Sequence, residues 1–319
     1  MKKKRGKRKD TNETHVRSGR NSLKCHSVVL QRVNPPTEIK IPPPREIYAR
    51  LSKTILGQEK ALKSLSVAVY QHLCRERIFK ICGKCPQKSN VLLVGPSGCG
   101  KTLIGQALSS LVPNPFVFVN AAGLVEQGYR GGMHVESIVE MLIKTVEGNS
   151  KLAEFGIVFI DEIDKLCDIE HHYSTIGVQK GLLSLIDSAI FNYELGGEEF
   201  DRKQLRTKNL LFVFAGTFNS LCSEPTAEDL IKYGFIPELA YRMGNIIEME
   251  PFKQDLFAPL VRKMVKEYVA YMDINHSSVN VYSEIINSIL LGDEKCHKSG
   301  GRAVAPLINR FFEDKLFEI

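Results

Sequence analysis

The chain has 319 residues, 43% hydrophobic and 25% charged, with no tryptophan and a formal net charge of +7. That length suits one large domain, or a large domain with a smaller companion. No apolar run approaches a membrane span and no charged-then-apolar start resembles a signal peptide, so membrane and secreted classes are set aside.

The charge is unevenly placed. Residues 1–24 carry ten Lys or Arg against Asp10 and Glu13, or +8, so the remainder sums to about −1. A tail with so little to bury is expected to be disordered. Such an arm suits nucleic acid, an anionic lipid, an acidic partner or a localisation signal, and equally a plain solubilising role. Pro35-Pro36 and Pro42-Pro43-Pro44 favour extended backbone, so 25–47 reads as a linker that enters the folded part near Arg45–Tyr48. Eight cysteines (25, 74, 82, 85, 99, 167, 222, 296) form no paired framework. They point to a reducing compartment, the cytoplasm first, with nucleus or organelle matrix left open.

Gln58 to about Phe79 reads as an amphipathic helix, with Ala61, Leu62, Leu65, Ala68, Val69 and Leu73 at three- and four-residue spacing. Ile55-Leu56-Gly57-Gln58 before it suits either packing on a nucleotide base or a simple helix entry. Cys82-Gly83-Lys84-Cys85 is a single zinc-like half-site or a loop before a strand; His72 and Cys74 would point to different helix faces.

Asn90–Val94 reads as a buried parallel strand and Leu103–Leu111 as a helix. Between them stands Gly95-Pro96-Ser97-Gly98-Cys99-Gly100-Lys101-Thr102, the GxxxxGK[ST] pattern of a P-loop in its required strand–turn–helix context. Glycines let backbone N–H groups turn inward around phosphate oxygens, and the helix start adds the positive end of its dipole. Lys101 is expected to reach the terminal phosphates of a nucleoside triphosphate, ATP, and the Thr102 hydroxyl to ligate Mg2+.

Phe116–Val119 reads as a second strand, followed by Asn120-Ala121-Ala122. The stretch Glu126-Gln127-Gly128-Tyr129-Arg130-Gly131-Gly132 offers Tyr129 little apolar surface of its own. A helix comes next, with Val135, Ile138, Met141, Leu142 and Val146 on one face. Gly156-Ile157-Val158-Phe159-Ile160-Asp161-Glu162 is a short apolar strand ending in two carboxylates at the edge where a parallel sheet places ligands. With a P-loop upstream, Asp161 is expected to hold Mg2+ through water and Glu162 to orient and polarise the attacking water.

Val178–Ile186 reads as a helix and Gly196–Lys208 as a polar loop reaching away from the core. Leu210–Ala215 is a further strand, after which Thr217 and Asn219 suit either γ-phosphate sensing or ordinary turn chemistry. Ala227–Tyr233 and Pro237–Met243 read as short helices, with Arg242 near the end of the second, and Ile246–Glu250 as the strand closing the sheet. From Pro251 the pattern is helical over Leu256–Tyr271, Tyr282–Leu291 and Arg302–Leu316, with Val279–Val281 able to form one short strand. Arg302 at a helix start is unfavourable unless an anion offsets it. The expectation is α/β: a parallel-sheet nucleotide-binding domain over 48–250 and a small helical lid over 251–319, after the 1–47 tail and linker.

These motifs together resemble the AAA+ ATPases of the ClpX and HslU family of Clp unfoldases, over roughly residues 47–310. The resemblance rests on Ile55–Ala61, Val67–Tyr70, the P-loop, Glu126–Gly131, Gly156–Lys165, Gly177-Val178-Gln179 with Leu182-Leu183, Ile231–Glu238 and Gly301-Arg302. It implies an ATP-driven homo-oligomeric ring, a hexamer, that unfolds or remodels polypeptide substrates. It also implies that Gly128-Tyr129-Arg130-Gly131 is a substrate-gripping pore loop. Arg242 then matches the arginine finger offered to a neighbour's γ-phosphate, Arg302 the sensor-2 arginine, Thr217 a position near sensor 1, and Ile55 part of the nucleotide pocket. Residues 1–47 lack that family's paired CxxC half-sites, and Asn219–Glu228 lack the Ile-Gly-Phe tripeptide that docks on the ClpP peptidase. Docking on ClpP, a peptidase partner and a role in supporting proteolysis are therefore left open, and the small domain looks shortened. A nucleic-acid-directed AAA+ ATPase using the basic tail is the alternative; a scaffold that binds ATP without turnover would have no chemical need for Glu162, Arg242 and Arg302.

Overall fold

In the computed structural model, which describes residues 30–31, 41–126, 128, 131–167, 172–187, 190–194, 202–219, 221, 224–271, 302 and 304–317, the chain forms the expected α/β architecture around a six-stranded sheet. In chain order its strands are β1 (Leu30–Gln31), β2 (Val91–Val94), β3 (Phe116–Asn120), β6 (Ile157–Asp161), β9 (Leu211–Gly216) and β10 (Asn245–Glu248). Their spatial order is β1-β3-β6-β9-β2-β10, and all but the antiparallel β1 run parallel.

Both faces of this sheet are covered, which is why its four central strands, β3, β6, β9 and β2, read as nearly unbroken apolar runs. Leu92, Val94, Val117, Val119, Val158, Ile160, Phe212 and Phe214 face one layer. That layer is α4 (Ser137–Thr145), α5 (Ser150–Ala153), α6 (His172–Ile186), α7 (Ala227–Tyr233) and α8 (Pro237–Arg242). The alternate residues Val91, Leu93, Phe116, Phe118, Ile157, Phe159, Leu211 and Val213 face α1 (Pro44–Thr54), α2 (Glu59–Cys82) and α3 (Lys101–Leu111). Phe116, Phe159, Phe212 and Phe214 are fully buried, and each such side chain contributes roughly 1.5–3 kcal/mol relative to exposure. Helix α3 lies so close that a Cβ on Gly105 would stand 2.7 Å from the Phe118 ring and 2.8 Å from that of Phe159. Only glycine lets the helix after the P-loop sit there.

The expected elements from Gln58 to Met243 are found, with differences at their ends. Pro44, expected in the linker, is the first helical residue of α1, where its missing N–H costs nothing. Helix α6 begins before Val178, because its first turn is polar and carries no apolar period. Leu30–Gln31, inside the expected linker, pairs with β3 at Val117 and Phe116.

The largest departure concerns 196–208. The first part of that stretch, 196–201, lies outside the described residues, but Arg202–Arg206 is not loop: as β8 it pairs antiparallel with β7 (Ile190–Glu194). Leu205 and Tyr193 point into the core while Gln204 and Arg206 are exposed, a period-two strand disguised by its charged face. A second small pair, β4 (Leu124–Val125) with β5 (Met133–His134), closes the base of the stretch holding Gly128 and Gly131.

Past the sheet, α9 (Phe257–Tyr271) and α10 (Val304–Phe317) supply the helical portion. The basic tail and the elements expected over Val279–Val281 and Tyr282–Leu291 lie outside the described residues. No helix of the described residues is long and apolar enough to cross a membrane.

Candidate functional site

The order of the sheet sets the site. β2 lies between β9 and β10, with β6 and then β3 beyond β9, so five parallel strands end on one edge. Register pairs Asn120 with Asp161 and Val94 with Gly216, so the loops leaving these strands meet one another there. A cavity of about 370 Å³ opens at this edge, within the range of small-molecule sites.

The loop after β2 reaches α3 through Gly98 and Gly100, at φ 80° and 102°, a left-handed geometry that favours glycine. Lys101 is only 7% exposed, and its Nζ donates to the carbonyls of Gly95 (2.7 Å) and Pro96 (2.8 Å), fixing the ammonium within the loop. The Cys99 thiol is buried 3.7 Å from that ammonium. Burial pushes its pKa up, against the pull of Lys101, so the thiol is kept protonated rather than nucleophilic.

Thr102 Oγ1 donates to Asp161 Oδ2 at 2.5 Å, and Asp161 Oδ1 accepts from the Glu162 N–H at 2.9 Å. A hydroxyl and a carboxylate converging at one point are the hard oxygen donors that magnesium takes, so these residues fit that ion. Glu162 itself stands at φ 55°, a left-handed conformation that costs a non-glycine residue about 1–3 kcal/mol and clusters at functional sites. Its carboxylate accepts from Asn120 Nδ2 at 3.1 Å. Sequence reasoning assigns Asn120 no role; its place at the end of the strand next to β6 is the available signal.

Asp164, on the turn after β6, accepts from the Thr217 N–H at 3.0 Å. Burial raises the pKa of Asp164, and that hydrogen bond pulls it back. Thr217 thereby lines the same cavity. The far wall is apolar: Ile55 and Leu56 from the α1–α2 turn, with Leu260 and Met264 of α9, and Arg302 completes the lining. Gln58 holds that turn in place. Its amide donates to Glu250 O (2.8 Å) and Cys99 O (3.4 Å) and accepts from the Glu250 N–H (3.0 Å).

One cavity therefore gathers Ile55, Gly98, Cys99, Gly100, Lys101, Thr102, Asp161, Glu162, Thr217 and Arg302. Gly95, Pro96 and Ser97 belong to the loop but stand outside the lining. Arg242 is elsewhere. Its carbonyl accepts from Asn90 Nδ2 at 2.7 Å, which places it at the opposite end of β2 from the P-loop. At about 3.3 Å per residue, Asn90 and Gly95 are roughly 16 Å apart.

Gly128 and Gly131 take left-handed φ of 98° and 105°, whereas Tyr129 and Arg130 lie outside the described residues. Cys82 is exposed and Cys85 donates to Arg75 O at 3.5 Å; among the described residues no group of three or more His, Cys, Asp or Glu could hold a metal ion.

Residues 86–246 match the model of the AAA domain (Cdc48 subfamily), a span from just before β2 into β10. Over 345 aligned residues, covering 92% of the chain and 80% of the relative, the chain is 31% identical to the ATP-dependent Clp protease ATP-binding subunit ClpX of Borrelia duttonii (strain Ly). The same figures hold for the subunit of that name from Borrelia recurrentis (strain A1). The GxxxxGK[ST] loop on β2, the paired acids at the end of β6 and this similarity along the chain lead to one assignment: the chain belongs to the ClpX family of AAA+ ATPases.

Proposed function

We propose that the protein hydrolyses ATP to unfold or remodel polypeptides, working in the cytoplasm as a homo-oligomeric ring, hexameric as its family resemblance implies. The large ATPase domain spans 48–250 and the small helical domain 251–319. The observation that carries the reading is the convergence of Lys101, Thr102, Asp161, Glu162, Thr217 and Arg302 on one cavity with an apolar wall. Ile55 packs against the base, while loop N–H groups and Lys101 hold the phosphates. Thr102 and Asp161 hold Mg2+, which neutralises charge on the phosphates when bound. Glu162 orients and polarises the attacking water, with its carboxylate held by Asn120. Arg302 and Thr217 contact the nucleotide of their own subunit.

Arg242 acts on the neighbour. From the opposite end of β2 it is out of reach of its own P-loop, and an arginine supplied from another chain stabilises transition-state charge only when subunits assemble. Head-to-tail repetition of that contact closes a ring. Tyr129, on the loop between β4 and β5 with Arg130 and the turning glycines Gly128 and Gly131, grips the polypeptide. ATP-dependent unfolding of a fluorescent model substrate tests this: Tyr129→Ala should abolish unfolding while ATP turnover continues. Unfolding at the wild-type rate would end the threading mechanism.

A further inference from the structure

Asp187 follows the last residue of α6 and Arg242 is the last residue of α8. They meet across the surface, where Arg242 Nε donates to Asp187 Oδ1. The two side chains are 55% and 40% exposed, and exposed ion pairs of this kind contribute little to stability, about 0–1 kcal/mol. Its geometry matters more. The bond engages Nε, the inner edge of the guanidinium, and among the described residues nothing engages Nη1 or Nη2. A guanidinium held this way turns its outer fork to solvent, the part that grips a phosphate with two parallel hydrogen bonds.

The surroundings call for such a holder. Arg242 lines a groove of about 910 Å³ at the end of the sheet away from the P-loop, shared with Arg75, Lys88, Arg206 and Lys208. Its only carboxylates among the described residues are Asp187 and Glu154. Burial first, then Arg75, lowers Lys88 to a pKa of about 8; Asp187 opposes that shift and Arg242 adds to it, so the three charges feel one another. Without Asp187, like charges would push the guanidinium away. Its backbone is fixed separately, by Asn90 on the Arg242 carbonyl.

We propose that Asp187 is a positioning residue for Arg242, holding the guanidinium by Nε so that its Nη fork is presented to the triphosphate of a neighbouring copy. This rests on the reading of Arg242 as a residue acting on the next subunit.

The test is steady-state ATP turnover by the full-length assembled protein, for Asp187→Asn, Asp187→Ala, Asp187→Glu, Arg242→Ala and the double variant Asp187→Asn/Arg242→Ala. Loss of orientation alone should lower kcat about tenfold, with KM within about twofold and the assembly unchanged by sedimentation. Asp187→Glu should recover most of that loss, and the double variant should be no slower than Arg242→Ala, because the second change removes what the first positions. Wild-type kcat in both Asp187→Asn and Asp187→Ala would overturn the proposal, as would a double variant slower than Arg242→Ala by the full factor of Asp187→Asn. Unchanged turnover in Arg242→Ala would instead overturn the neighbour-acting reading, and this proposal with it.

Discussion

Replacing Gln58 tests whether the cavity beside the P-loop is held together where the structure places its clasp. Gln58 is 4% exposed and joins three segments distant in sequence: the entry of α2, the P-loop at Cys99 and the exit of β10 at Glu250. Removing its amide deletes the two shorter bonds, each worth about 1 kcal/mol net. It also leaves the Glu250 N–H and carbonyl without their partner, at roughly 1–3 kcal/mol for a buried group, less whatever water restores. Together the change should cost about 2–3 kcal/mol. At about 2–4 °C per kcal/mol for a domain of this size, Gln58→Ala should melt about 5–10 °C below wild type.

Thermal unfolding followed by circular dichroism at fixed protein concentration measures this. Gln58→Met separates the causes, because it fills the same volume and makes none of the three bonds. It should fall nearly as far as Gln58→Ala. A Met variant melting within about 1 °C of wild type would refute the hydrogen-bond account and leave packing as what Gln58 supplies.

Glu162→Gln keeps the shape and its contact with Asn120 but removes the carboxylate proposed to polarise the water; ATP turnover should fall about 10²–10⁴-fold while nucleotide binding, measured by calorimetry, is retained. Turnover at the wild-type rate would remove Glu162 from the chemistry. His72 gives a pH prediction: burial, with Arg75 and Lys88 nearby, holds it at a pKa of about 4, its Nε2–H donates to Phe155 O at 2.9 Å, and Nδ1 has no hydrogen-bond partner among the described residues. The unfolded chain takes the proton near pH 6.5 and the folded one near 4, so this contribution is whole above 6.5 and lost as pH falls towards 4, by about 3 kcal/mol. His72→Gln should flatten that part of the stability curve in urea unfolding at pH 7 and 4.5, and an unchanged difference between the two would refute it.

How much of the molecule is legible in its sequence depends on how local each signal is. The P-loop and the Asp161-Glu162 pair are contiguous, and their chemistry is written in one strand and one turn each. Asn120, Asp164 and Gln58 act through hydrogen bonds to residues 42, 53 and 192 positions away, so no window along the chain contains both partners. The β7–β8 hairpin is hidden for another reason. In Arg202 to Arg206 the strand periodicity shows only as buried Leu205 between exposed Gln204 and Arg206, and in a short window composition overwhelms period. Pro44 does not announce a helix start, because proline signals a break and an N-terminal first turn equally well.

The strand order also sets Arg242 apart from the P-loop. Parallel strands deliver the loops after β2, β3, β6 and β9 to one edge, where Asn120, Glu162 and Thr217 stand at or next to their strand ends and Lys101 opens the helix that follows β2. The turn from α8 into β10 must lie at the other edge, because β10 runs parallel to β2 and begins beside Val91. Arg242 is fixed there twice, by Asn90 on its backbone and Asp187 on its side chain, so no adjustment of a side chain brings it to its own P-loop. If Lys101, Glu162 and Arg242 act as proposed, the groups that bind and attack a triphosphate lie at one edge of the sheet and the arginine fork at the other. On that proposal the two would complement each other only between copies, and the contact that completes one site would offer the next.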